Sequence, residues 1–181
     1  MNEPVEFGDV LPKDLFDEIG EELFKKGWRL SNKSAKGTKR FWTQHQVDNP
    51  IFNRAGNIVL EKVKEYTDES IKLVRIHCNG QTTGQDGAAH VDFWTDNVWT
   101  FVLFTNKLGG GFNVINPEVK KHQYYHYASN WGVLIPSKWM HWGDPPNSHT
   151  DELRTSVAFS FATADQYDII REKAIESEPS K

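Results

Sequence analysis

Apolar residues recur at helical spacing in two places near the start of the chain. Leu15, Phe16, Ile19, Leu23 and Phe24 fall on one stripe behind Pro12, a residue suited to a first helical turn, and Gly27 offers a stop. Asp48-Asn49-Pro50 reads as a cap followed by a first-turn proline, and the stripe behind it is Ile51, Ala55, Ile58, Val59, Val63 and Tyr66. After residue 70 the period changes. Short β-type runs at 72–78, 98–105, 112–115, 123–128, 131–136 and 154–163 are punctuated by Gly, Asn, Pro and Asp. A further strand is predicted around 41–47 and a closing helix over 164–175. Helices first and many short strands after predict a mainly β (α+β) fold, with the helices packed on one sheet of a sandwich or barrel.

Composition narrows the function classes. The chain has 181 residues, 38% of them apolar and 13% aromatic, which predicts one domain with one sizeable core and excludes a disordered chain. We read 1–70 as a helical buttress, 71–165 as the β core and 166–181 as a tail or helix. The single cysteine, Cys78, excludes a disulfide scaffold and a Cys-rich zinc fold. A net charge of −4 disfavours nucleic acid as a partner. There is no apolar run of membrane-spanning length and no visible secretory signal, so the expected location is cytoplasmic. Charge is uneven at the start: residues 25–40 hold seven Lys or Arg and no acid, either a solvated loop or a docking edge for an acidic partner.

The chemistry gathers around His90-Val91-Asp92. In a strand, residues i and i+2 share a side, so this pair can offer an imidazole and a carboxylate to one point. His141, which follows the 131–136 run, is a candidate third ligand. Two histidines and one carboxylate form the facial triad that leaves iron positions open. The same three residues would also serve as a hydrogen-bonded surface pair and a loop histidine. Arg154 adds weight. It opens a run in which Val157, Phe159 and Phe161 alternate with Ala158, Ser160 and Ala162, and it shares the side of Ser156 and Ala158. An arginine facing inward needs an anion, and its planar fork fits a carboxylate, such as one end of a dicarboxylate like 2-oxoglutarate. An acidic side chain of the protein is the alternative partner.

In this order (HxD, distal His, then Arg-x-Ser in a β run) the residues resemble the Fe(II)/2-oxoglutarate-dependent dioxygenases, and most of all their prolyl 4-hydroxylase branch. The pieces are Gln85-Asp86-Gly87-Ala88-Ala89-His90-Val91-Asp92, Phe101–Lys107, Gly109-Gly110-Gly111-Phe112 and Trp131–Pro136 leading to His141. The resemblance implies a double-stranded β-helix (jelly-roll) with the N-terminal helices on its major sheet. It implies Fe(II) on His90, Asp92 and His141, and 2-oxoglutarate held by Arg154 with Ser156 as helper. It also implies O2 as co-substrate, ascorbate as a candidate reductant, and hydroxylation of a C–H bond, first of all in a peptidyl residue, with release of succinate and CO2. Three positions depart from the branch pattern. The loop before the glycines is cut to Lys107-Leu108 and lacks the branch's Glu; Phe104 stands where many relatives place a tyrosine; and Arg154 stands where collagen-type members have lysine.

Substrate-side candidates lie around the metal strand. The polar, Gly-rich stretch 79–87 reads as a lid or as a plain connection, with Gln81, Thr83 and Gln85 as contacts. Trp94, Trp139 and Trp142 flank the ligands, either as substrate platforms or as a dry wall, with Trp94 and Trp142 the platform candidates. His77 reads as a core histidine that could instead face the pocket, and Tyr124–Tyr127 as a core face alternating with a rim. Two other functions stay open: hydroxylation of a free amino acid or other small molecule, and a non-enzymatic jelly-roll binding module.

Overall fold

The computed structural model describes residues 1–32, 40–46, 48–67, 70–147 and 151–176. Strand β1 (Val5–Phe7) precedes helix α1 (Lys13–Lys25), and β2 (Arg29–Asn32) and β3 (Phe41–His45) precede α2 (Pro50–Val63). Then come β4 (Lys72–Gln81), β5 (Val98–Phe104), β6 (Gly111–Asn116), β7 (Lys121–His126), β8 (Trp131–Pro136), β9 (Met140–Gly143), β10 (Arg154–Ala162) and α3 (Ala164–Glu176). The predicted strands and all three helices are present. The segment 1–70 is more than a helical buttress, because it contributes β1, β2 and β3 to the larger sheet. Most of the basic stretch, residues 33–39, lies outside the described residues.

Among the described residues the strands form a seven-stranded sheet, β1-β8-β5-β10-β4-β3-β2, and a three-stranded sheet, β7-β6-β9, all pairs antiparallel. An isolated bridge between His90 and His141 ties the chain before β5 to β9. The result is a double-stranded β-helix whose two sheets face each other across a hollow.

Period-2 alternation sorts the side chains of the large sheet. Ile76, Cys78, Phe101, Leu103, Val157, Phe159 and Phe161 face the helices and join Leu15, Ile19, Leu23, Phe52, Ala55, Val59 and Val63 in one core. Helix α2 starts as its sequence predicts: the Asn49 side chain accepts a hydrogen bond from the Ile51 N–H, with Pro50 at the first turn. Its buried stripe is centred on Phe52 and Gly56, leaving Ile51 and Ile58 partly buried and Tyr66 exposed. In α1, Phe24 is likewise exposed. Gln44 anchors the sheet to α1 by donating to the carbonyls of Leu23 and Lys26. The opposite face of the large sheet looks into the hollow, and there the alternation turns polar.

Candidate metal centre

His90, Asp92 and His141 come together at one end of the hollow, each offering one ligand atom, with these atoms within 4.8 Å of one another. His90 Nε2 lies 3.7 Å from Asp92 Oδ1, and His141 Nε2 lies 3.7 Å from Asp92 Oδ2. Backbone geometry brings them there. The His90–His141 bridge sets the two imidazoles side by side, ring centroids 4.5 Å apart. His141 sits on β9, a short strand of its own, where Val114 of β6 is its partner.

The surrounding hydrogen bonds fit these residues to a metal. His90 Nδ1 is 2.8 Å from the Ala88 carbonyl, and His141 Nδ1 is 2.9 Å from the Trp139 carbonyl. A carbonyl only accepts, so each Nδ1 carries the proton and each Nε2 presents a lone pair to the shared point. The Thr100 hydroxyl donates to Asp92 Oδ2 at 2.7 Å and contacts the Ser137 hydroxyl at 2.8 Å, which fixes the carboxylate. Burial drives the His141 pKa down against the pull of Asp92, favouring the neutral, metal-ready imidazole. Burial also works against the Asp92 carboxylate, but His141, His90, Arg75 and the Thr100 hydrogen bond together hold its pKa below the ordinary value.

From this centre a cavity of about 210 Å³ runs between the two sheets. Ser156, Gln81 and Tyr127 line it. Phe104 is buried and stacked on the Tyr127 ring at 4.2 Å. Arg154 is 1% exposed and lies just behind this wall. Its guanidinium stacks over the Tyr127 ring at 4.0 Å, donates to the Gly109 carbonyl at 3.1 Å and donates to Gln81 Oε1. Among the described residues it has no carboxylate partner; its acceptors are neutral. Leaving a buried guanidinium without a counter-charge is costly, so the site is suited to an anion.

Two glycines make room for that arrangement. Gly143 lies two residues past His141 and lines the cavity. A Cβ there would meet Gln81 Oε1 at 3.2 Å, Arg154 Nη2 at 3.4 Å and the Tyr127 hydroxyl at 3.6 Å. An amide, a guanidinium and a hydroxyl thus converge on bare backbone. Gly110, at φ +74°, lets the shortened loop wrap Arg154, since any Cβ would collide with Nη1.

The remaining candidates are scattered. Gln81 ends β4, and its Nε2 donates to the Gln85 carbonyl at 2.9 Å. Gln85 Oε1 accepts from the Thr82 N–H and hydroxyl, and its amide donates to the Arg40 carbonyl, so residues 81–85 form a pinned turn. Thr83 is exposed on that turn. Trp94 is 84% exposed and does not line the cavity. Trp142 points to the outer face of the small sheet, where it stacks on His122 at 5.3 Å. Trp139 is buried in the dry cluster beside the ligands.

No protein-family model matches the chain, and no curated protein matches it in sequence. Solved structures do. A prolyl-4-hydroxylase from Pseudomonas putida superposes with a TM-score of 0.70 at 14% identity, covering 88% of this chain and 92% of that one. The fold is that of the Fe(II)/2-oxoglutarate oxygenases. A non-haem α-ketoglutarate-dependent epimerase, SnoN from nogalamycin biosynthesis, shares it with a TM-score of 0.73 at 12% identity, covering 89% and 78%. So does HygX from Streptomyces hygroscopicus, solved with nickel, 2-oxoglutarate and hygromycin B, with a TM-score of 0.67 at 12% identity over 89% and 83%. Within the oxygenase fold of this chain, no helix among the described residues is long and apolar enough to cross a membrane.

Proposed function

We propose that the chain is an Fe(II)/2-oxoglutarate-dependent oxygenase that hydroxylates a C–H bond. The observation that carries the reading is the convergence of two Nε2 lone pairs and one carboxylate at the end of a cavity. Three polar groups around Gly143 supply a carboxylate cradle farther in. When bound, iron with 2-oxoglutarate and O2 supplies the oxidising power: one oxygen atom enters the C–H bond, and the other is kept as 2-oxoglutarate becomes succinate and CO2.

The protein's own residues hold and shield. The carbonyls of Ala88 and Trp139 fix the two imidazole tautomers, and Thr100 fixes Asp92. Arg154, Gln81, Tyr127 and Ser156 take the distal carboxylate of 2-oxoglutarate. Val102, Phe112 and Trp139 keep the metal side dry. A peptidyl residue, with proline first, is the substrate class that the motif resemblance supports. A free amino acid or other small molecule is the second reading, favoured by the small cavity.

Turnover tests the proposal. The Fe(II)-loaded protein should release succinate from 2-oxoglutarate even without a substrate, at the slow uncoupled rate, and Asp92→Ala should lose that release. His141→Ala should lose iron itself. A well-folded, iron-loaded protein that leaves 2-oxoglutarate intact with every peptide and metabolite tried contradicts the reading.

A further inference from the structure

Strand β10 runs along the hollow, and its two flanks differ. On one flank is β5: Ala158 pairs with Val102 and Ser156 with Phe104. Arg154 leans that way, since its guanidinium stacks on Tyr127 and Tyr127 stacks on Phe104. On the other flank is β4, with β3 beyond it: Ala158 also pairs with His77, and Ser156 with Asn79. His77, Asn79 and, from β3, Phe41 line the cavity there. Arg75, on the same face of β4, is already engaged: its charge acts on the Asp92 carboxylate and on His77.

This second wall is unfinished. His77 is 7% exposed, yet its Nδ1 has no hydrogen-bond partner, and the buried Oδ1 of Asn79 has none either. Buried polar atoms of this kind are rare unless something completes them. The His45 ring packs edge-on against His77 at 4.7 Å and holds it in place. Burial, then the charges of Arg75 and His45, drive the His77 pKa well down against the upward pull of Asn79, so His77 is a neutral hydrogen-bonding group. Charge decides what the wall can receive. Among the described residues lining the cavity, Asp92 is the only carboxylate and belongs to the metal set, so an ammonium finds no partner. Arg75 is turned to Asp92 and Arg154 lies in the cofactor cradle, so a further carboxylate finds none either. A neutral group that donates to Asn79 Oδ1, an atom that only accepts, is what fits.

We propose that the substrate is held on this wall by a neutral amide, whose N–H donates to Asn79 Oδ1 and whose carbonyl accepts from the His77 Nδ1–H, with Phe41 against its apolar part. A planar amide fixes a donor and an acceptor relative to each other, which a single hydroxyl does not. The backbone of a peptide or the carboxamide of a smaller compound supplies such a group, and holding it here orients the neighbouring C–H bond toward the metal. What happens to that bond rests on the oxygenase reading; the binding of the amide does not.

The test is a ligand-detected NMR titration of the protein loaded with 2-oxoglutarate and with Zn(II) in place of iron. The probes are 2-pyrrolidinone and γ-butyrolactone, a cyclic amide and the ester of the same shape. The amide should bind about tenfold tighter, because a site built to accept an N–H rejects the analogue that lacks it. Asn79→Leu should abolish that preference while its own metal and 2-oxoglutarate titrations match wild type. His77→Phe should reduce it, and serves where the leucine variant does not fold. Equal binding of the two probes, binding of neither, or a preference that survives Asn79→Leu overturns the proposal. So does a 2-oxoglutarate affinity that falls in either variant, because the wall then belongs to the cofactor. If wild type takes up no metal or 2-oxoglutarate, the oxygenase reading falls instead, and the same two probes decide the amide site on the metal-free chain. N-acetylglycine N-methylamide, with backbone amides only, and propanamide, with a carboxamide only, then separate the two sources of the group.

Discussion

The three central strands of the large sheet carry opposite chemistries on their two faces. Toward the helices, β4, β5 and β10 present Ile76, Cys78, Phe101, Leu103, Val157 and Phe159, each at most 1% exposed and sealed in the main core. Toward the small sheet the same strands present Arg75, His77, Gln81, Thr100, Arg154 and Ser156, and enclose a cavity. One face is filled and gains burial free energy; the other is left hollow and lined with polar groups. Because the side-chain period of a strand is two, stability and binding occupy alternate residues of one backbone and can be altered separately.

The largest effect should come from the filled face. Phe159→Ala removes a buried ring and should cost about 3–5 kcal/mol, lowering the melting temperature by about 10 °C in a thermal scan. Below that melt the variant should still bind iron and 2-oxoglutarate like wild type. If it loses the metal while folded, the two faces are not independent.

Next is Arg154→Ala, on the hollow face. It should leave the metal-free melting temperature unchanged or raise it, since an unneutralised buried charge is removed. 2-Oxoglutarate affinity should fall about a hundredfold, as is usual when one member of a buried charge pair is lost, and iron should bind normally. Normal 2-oxoglutarate binding by this variant would refute the anion cradle. Gly143→Ala sharpens the same point without changing charge. Its methyl group would occupy the gap among Gln81, Arg154 and Tyr127, so 2-oxoglutarate should weaken about tenfold with iron spared.

A smaller effect is set by pH. Burial, with Arg75 and His45, holds the His77 pKa below its ordinary value of about 6.5. The unfolded chain therefore takes up this proton first, and the metal-free protein should lose stability as pH falls below that value. The loss should reach about 1 kcal/mol by pH 5.5 for this residue. His77→Gln should flatten that part of the profile, measured by denaturant unfolding at pH 7.5 and 5.5. Smallest of all is Trp142→Ala. Its ring stacks on His122 outside the small sheet, so iron and 2-oxoglutarate titrations should not change.

Where local chemistry and tertiary packing agree, the sequence is readable. The Asn49-Pro50 cap, the alternation of β10 and the HxD pair each show in a few adjacent residues. Strands β1, β2 and β9 do not, because three or four residues are too short to show a period and their pairing is distant: Val5 pairs with Leu134. In β9 the pattern is masked, since Trp142 is apolar yet turned outward. Tyr127 is hidden in an aromatic run, one residue past β7. Its role depends on Phe104 and Arg154 being brought against it. Gly143 has no sequence signal apart from being a glycine near a ligand.

The most direct test of the two-part site is an anaerobic titration of the purified apoprotein with Fe(II) and then 2-oxoglutarate, watching the weak visible charge-transfer band of chelated iron. A band should appear that saturates near one equivalent of each, disappears with His141→Ala and weakens with Arg154→Ala. Iron binding with no band at any 2-oxoglutarate concentration would contradict the cradle, and no iron binding at all would contradict the triad.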